Sequence, residues 1–151
     1  MTTEPAQDQL LSVLLTSKNH LEYLTANDWS LIADRGKRVT FPRRTTMVEQ
    51  GKQAKMVYLL VKGKANIESS KTKIAQIGPG EICGEMAFIE NALASATVTA
   101  DEEVEAFAIE WQALSDLFEL FPHLASRFYR SIAVGLSRRL RDQIAFKRAK
   151  P

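Results

Sequence analysis

Gly84-Glu85-Met86-Ala87 is the segment of this chain whose residue types could do chemistry. A glycine opening a short helical turn exposes backbone N–H groups, and such groups concentrate partial positive charge on an anion. Gly84 to Ala87 can therefore hold a phosphate. Other reactive residues carry weaker patterns. Cys83 sits beside Glu81 and Glu85, whereas a redox-sensing thiol needs nearby positive charge, so it reads as a small buried residue at a strand end. His20 and His123 lie far apart with no second His or Cys at a metal-ligand spacing, so no metal is expected. Ser95, Ser115 and Ser126 lack a Gly-x-Ser-x-Gly signature, and no carboxylate pair is fixed by a motif. These patterns give no case for an enzyme, and no cofactor is expected.

The elements that must position the glycine loop follow from periodicity. Leu10 to Leu15 suggest a short N-terminal helix, and Thr25-Ala-Asn-Asp28 reads as an N-cap leading into Trp29, Leu31 and Ile32 on a second. From Gly36 the pattern changes to short β-like runs: Arg38 to Phe41, Thr46 to Val48, Met56 to Val61, Ala65 to Glu68, Ile74 to Ile77, Ser95 to Ala100 and Val104 to Ile109. Pro42, Gly51, Lys62-Gly63, Gly78-Pro79-Gly80 and Asp101-Glu102-Glu103 mark the turns, at the spacing of an antiparallel jelly roll. Helical periodicity returns at Trp111, Leu114, Leu117 and Phe118, breaks at Phe121-Pro122, and resumes from Leu124 to about Phe146. The expected fold class is mainly β with flanking helices: a jelly roll, or double-stranded β-helix, with N-terminal helices and a two-helix C-terminal segment. Residues 1–20 read as a helical extension and residues 21–151 as the domain.

At 151 residues, with 45% hydrophobic and 25% charged residues, the chain suits one soluble domain with a substantial core. The apolar run at Leu10 is too brief to span a bilayer, and Cys83 is the only cysteine, so no membrane contact and a cytoplasmic location are expected. The net charge of +2 conceals a division. From Ile74 to Ser126 there are ten acidic residues and no Lys or Arg, whereas Arg127 to Pro151 carries eight basic residues against Asp142 alone. Arg138, Arg139 and Arg141 read chiefly as a solvated face favourably placed near a helix C-terminus, with non-specific nucleic-acid contact as the weaker reading. On the same helix Ala125, Phe128, Ile132, Leu136, Leu140 and Ile144 form an apolar stripe longer than a small domain needs to cover itself, so a homodimer through this helix is expected, with a partner protein as the alternative. Trp29 and Trp111 are expected to fill gaps between helices and sheets.

The order of elements, with Gly-Glu-Met-Ala in the middle, resembles the cyclic nucleotide-binding domain family, over about Leu21 to Asp142. The segment from Ile77 through Glu90, followed by Ala94-Ser-Ala-Thr-Val98, is similar to the family's phosphate-binding cassette. The resemblance implies a non-catalytic regulatory module that senses a small molecule and moves or dimerises through its last helices. It implies a ligand site at Gly84, Glu85, Met86, Ala87, Ala94, Ser95 and Ala96. Glu85 matches the glutamate that accepts a hydrogen bond from the ribose 2′-hydroxyl in relatives. Their arginine for the cyclic phosphate matches Ala94, so binding of a cyclic nucleotide is expected to be weakened or lost. Ser95 keeps a hydroxyl and a backbone N–H for phosphate, and Ala96 keeps the small residue. A replacement cation would have to come from Arg43 or Arg44, or from Arg127 or Arg130 on the final helix. The family's transcription factors read DNA with a helix-turn-helix domain after that helix, and none follows before Pro151, so sequence-specific DNA binding is not expected.

Overall fold

A computed structural model describes residues 11–17 and 20–149. The start of the N-terminal helix at Leu10 and the basic Lys150 lie outside them. Residues 11–16 are helical (α1). There follow α2 (Ala26–Ala33), β1 (Gly36–Phe41), β2 (Thr46–Val48), β3 (Met56–Lys62), β4 (Ala65–Ser69), β5 (Thr72–Ile77) and β6 (Ile82–Cys83). The chain continues through α3 (Glu85–Glu90), β7 (Thr97–Ala100), β8 (Val104–Glu110), α4 (Trp111–Leu120) and α5 (Pro122–Ala149).

The strands form two four-stranded antiparallel sheets, ordered β1-β8-β3-β6 and β2-β7-β4-β5, without closing into a barrel. The alternation of β3 explains why two sheets and a helical layer are all needed. Successive side chains on a strand point to opposite faces. Val57, Leu59 and Val61 join a core shared with Leu24, Trp29 and the C-terminal helices, whereas Leu60 joins the core between the sheets, with Tyr58 packed against it. The first sheet is therefore buried on both faces. Between the sheets the residues are small or branched, among them Ala65, Ala94, Val98, Ala100, Val104 and Ala106.

Expected and observed elements differ by the addition of β6 and by one or two residues at an end of β1, β3, β4, β5, β7 and β8. The two-residue β6 pairs Tyr58 with Cys83 and Leu59 with Ile82, and it is too short to produce a period of its own. The run expected from Ser95 starts as strand only at Thr97. Cys83 is buried in β6, and burial pushes its thiol well above the ordinary range, as befits a packing residue.

The helical layer is tied down near the N-terminus. Thr25 and Asp28 form the expected capping box: the Asp28 N–H donates to Thr25 Oγ1 at 3.1 Å, and the Thr25 N–H donates to Asp28 Oδ2 at 3.0 Å. Arg127 of α5 then grips the same carboxylate, Nε to Oδ2 and Nη2 to Oδ1, both at 2.7 Å. That bidentate pair holds the buried Asp28 carboxyl below its ordinary 3.8. Tyr23 adds a backbone N–H to Ser131 Oγ at 3.0 Å, and the Arg130 guanidinium lies 4.1 Å from the centre of the Tyr23 ring.

Thr25→Ala is expected to cost about 1 kcal/mol in urea unfolding through loss of the cap. Arg127→Met strands a buried carboxylate and is expected to lower the midpoint further at neutral pH. Because the folded value of Asp28 is depressed, its contribution is present above 3.8 and lost as pH falls through that folded value. The Arg127→Met deficit therefore shrinks in acid, which urea titrations at several pH values will read.

Candidate functional site

Gly84 turns the chain from β6 into α3 with φ at +83°, in the left-handed region that favours glycine. A Cβ there would stand 2.8 Å from the Met56 carbonyl oxygen, so the tight turn also requires the missing side chain. The turn brings Glu85 to the first position of α3, under α5. Between them lies a cleft of about 300 Å³, lined on one side by Ala75, Gln76, Glu81 and Glu85 and on the other by Ser131, Arg139 and their neighbours on α5.

Glu81 joins the two walls. Its carboxylate accepts the Gly78 N–H at 2.7 Å on one oxygen and Arg139 Nη2 at 3.0 Å on the other. The Glu81 side chain is only 10% exposed, so the ion pair closes one end of the cleft with a largely desolvated charge. Arg138 pairs outward with Glu22 at 3.0 Å. Glu85, partly covered, is pushed up to about 7 by burial, against the opposing pull of Arg139 and of the Glu85 and Met86 backbone N–H groups. It changes charge close to neutral pH.

Of the seven residues expected to form a ligand site, Glu85 alone lines this cleft. Met86 is exposed, and Ala87 is buried at the foot of α3. Ala94 is buried between the sheets, its N–H donating to the Lys52 carbonyl at 3.0 Å and its carbonyl accepting the Gly51 N–H at 2.8 Å. Ser95 is exposed and Ala96 half-buried.

The candidate replacement cations lie elsewhere. Arg127 is engaged with Asp28, Arg130 covers Tyr23, and Arg43 and Arg44 sit exposed in the turn after β1. Arg44 takes φ of +72°, in the left-handed region that favours glycine. The guanidinium that does reach the cassette belongs to Arg139. Sequence reasoning assigned it to the solvated face, and its only signal was membership of the basic run on a long helix.

The profile of the cyclic nucleotide-binding domain family matches residues 38–120, more than half of the chain, with the cassette and all of both sheets but the first two residues of β1 inside the match. The chain belongs to this family. It is 29% identical over 138 residues to cyclic GMP-binding protein C of Dictyostelium discoideum, covering 83% of this chain and 5% of that one. It is 28% identical over 111 residues to the cyclic AMP receptor protein of Thermus thermophilus, covering 70% of this chain and 50% of that one. The chain thus spans half or less of the length of these relatives. In fold it is similar to a cyclic nucleotide-binding domain from Methylobacillus flagellatus, with a TM-score of 0.76 at 19% identity over 96% of this chain and 83% of that one. No helix among the described residues is long and apolar enough to cross a membrane.

The elevated Glu85 value has a definite sign. Between its ordinary 4.5 and about 7 the folded state binds more protons than the unfolded state, so through this group stability increases as pH falls across that window. Glu85→Gln is expected to stabilise the protein above neutrality, on the order of 2 kcal/mol, with the gain vanishing in acid. Thermal denaturation of both proteins across pH will read the difference.

Proposed function

We propose that the chain is a non-catalytic regulatory module whose ligand cleft lies between the cassette and α5, and that its hold on the phosphate of a cyclic nucleotide is weak or lost. The observation that carries the reading is the substitution at Ala94 together with the engagement of the nearby cations. Ala94 offers a buried methyl where relatives carry the phosphate arginine, while Arg138 and Arg139 already pair with Glu22 and Glu81. A phosphate drawn into the cleft would have to take Arg139 from Glu81, leaving that carboxylate nearly buried without its counter-charge, and such an exchange is costly.

A ligand that binds only the folded state raises its melting temperature. Cyclic AMP and cyclic GMP are expected to leave the melting temperature unchanged at micromolar concentration, and a clear rise in differential scanning calorimetry would overturn the reading. Ala94→Arg, checked for its fold by near-ultraviolet circular dichroism, tests the rest of the cassette: gained binding of either nucleotide shows it intact, and continued silence points to a cavity that no longer takes the ligand.

A second reading, a module that acts by dimerising without a ligand, is favoured by the apolar stripe on the second half of α5. Leu136, Leu140 and Ile144 recur every four residues there and are 38%, 58% and 44% exposed, whereas Phe128 and Ile132 further up the helix are buried. On this reading, light scattering of the eluting protein gives the mass of a dimer, and Leu140→Glu gives a monomer with an unchanged melting temperature. A monomeric parent protein would remove it.

A further inference from the structure

The charges of the cleft select among ligands. Its lining includes the carboxylates of Glu22, Glu81, Glu85 and Asp142 against the guanidinium groups of Arg138 and Arg139, four formal negative charges against two positive. Each arginine is paired, to Glu22 and to Glu81. The N-terminal amides of α3, which in principle attract anions, face the Glu85 carboxylate of this chain. Among the described residues of the lining an incoming anion therefore finds neither a free cation nor a free amide pair, and it meets like charge in a partly desolvated space.

The same lining suits a ligand without charge. Ionised carboxylates are acceptors only, so their complement is a group that donates hydrogen bonds, such as a pair of hydroxyls. Glu22 and Glu81 are already neutralised by Arg138 and Arg139, and Glu85 is met by the first amides of α3, so the lining suits a neutral donor better than a cation. Leu21, Ile82, Ile132 and Val134 supply apolar wall for a flat ring, while Gln76 and Gln143 can both donate to and accept from the edge of a heterocycle. The volume of about 300 Å³ lies at the small end of the range for small-molecule pockets.

We propose that the cleft binds an uncharged nucleoside, its ribose hydroxyls donating to Glu85, in preference to the cyclic phosphate of the same base. This rests on reading the cleft as the ligand site. The preference arises because a nucleoside leaves the Glu81–Arg139 pair intact, whereas the phosphate must break it or be repelled.

Titration calorimetry at neutral pH with adenosine and guanosine, each beside its 3′,5′-cyclic monophosphate, tests the preference in the native chain. One nucleoside is expected to bind at least about tenfold more tightly than its cyclic phosphate. Glu85→Ala is expected to weaken that nucleoside by about tenfold or more while circular dichroism stays unchanged. A cyclic phosphate that binds as tightly as its nucleoside overturns the proposal. So does silence from both nucleosides up to about 1 mM. In the case of silence, Ala94→Arg separates two failures. If that variant binds a cyclic nucleotide and a further Glu85→Ala abolishes the binding, the cleft remains the ligand site and only the nucleoside preference falls; if the folded variant binds nothing, or binds regardless of Glu85, the reading of the cleft falls as well.

Discussion

The Glu81–Arg139 ion pair is the contact on which the arrangement of this molecule turns. Glu81 sits in the turn between β5 and β6, one residue before the strand that leads into Gly84, and Arg139 lies well along α5. By holding the Gly78 N–H and Arg139 at once, the carboxylate links a tight turn, the cassette and the last helix. A largely desolvated carboxylate is stable as an ion only when such partners are present. The pair therefore fixes where α5 crosses the sheets and decides that the positive charge closest to the cassette is already in use.

Further up the same helix, a second carboxylate is met in the same way. Asp28 is buried, completes the cap of α2 and takes both arms of Arg127. Arg138 and Arg130 add contacts to Glu22 and Tyr23. The uneven charge of the chain thereby acquires a structural meaning. The basic face of α5 settles on carboxylates of the N-terminal segment and of the cassette region, so part of a tail that reads as solvated is holding the fold together. On the proposed reading, a ligand in the cleft and the docking of α5 would draw on the same groups, which would couple occupancy of the cleft to the position of the helix.

Much of the fold was legible because it rests on local rules. The apolar run from Met56 to Val61 between turn residues identified β3, the Thr25–Asp28 box marked the start of α2, and Phe121-Pro122 marked the division between α4 and α5. β6 escaped because two residues carry no period, and its pairing with β3 is a long-range event. In the cassette, the need for glycine at position 84 was legible and its cause was not. The obstacle to a side chain is the carbonyl of Met56, contributed by another strand.

The sequence by itself determined the family, the element order apart from β6, the glycine turn and the absence of an arginine at Ala94, since each of these is a matter of residue type at a short spacing. Tertiary structure alone decided which cation stands over the cassette. Arg127, Arg130 and Arg139 have the same charge and lie on one helix, and only the docking of that helix sends the first to Asp28, the second to Tyr23 and the third to Glu81. The elevated value of Glu85 arose in the same way: burial under α5 outweighs the pull of Arg139, and burial is created by segments distant in the chain.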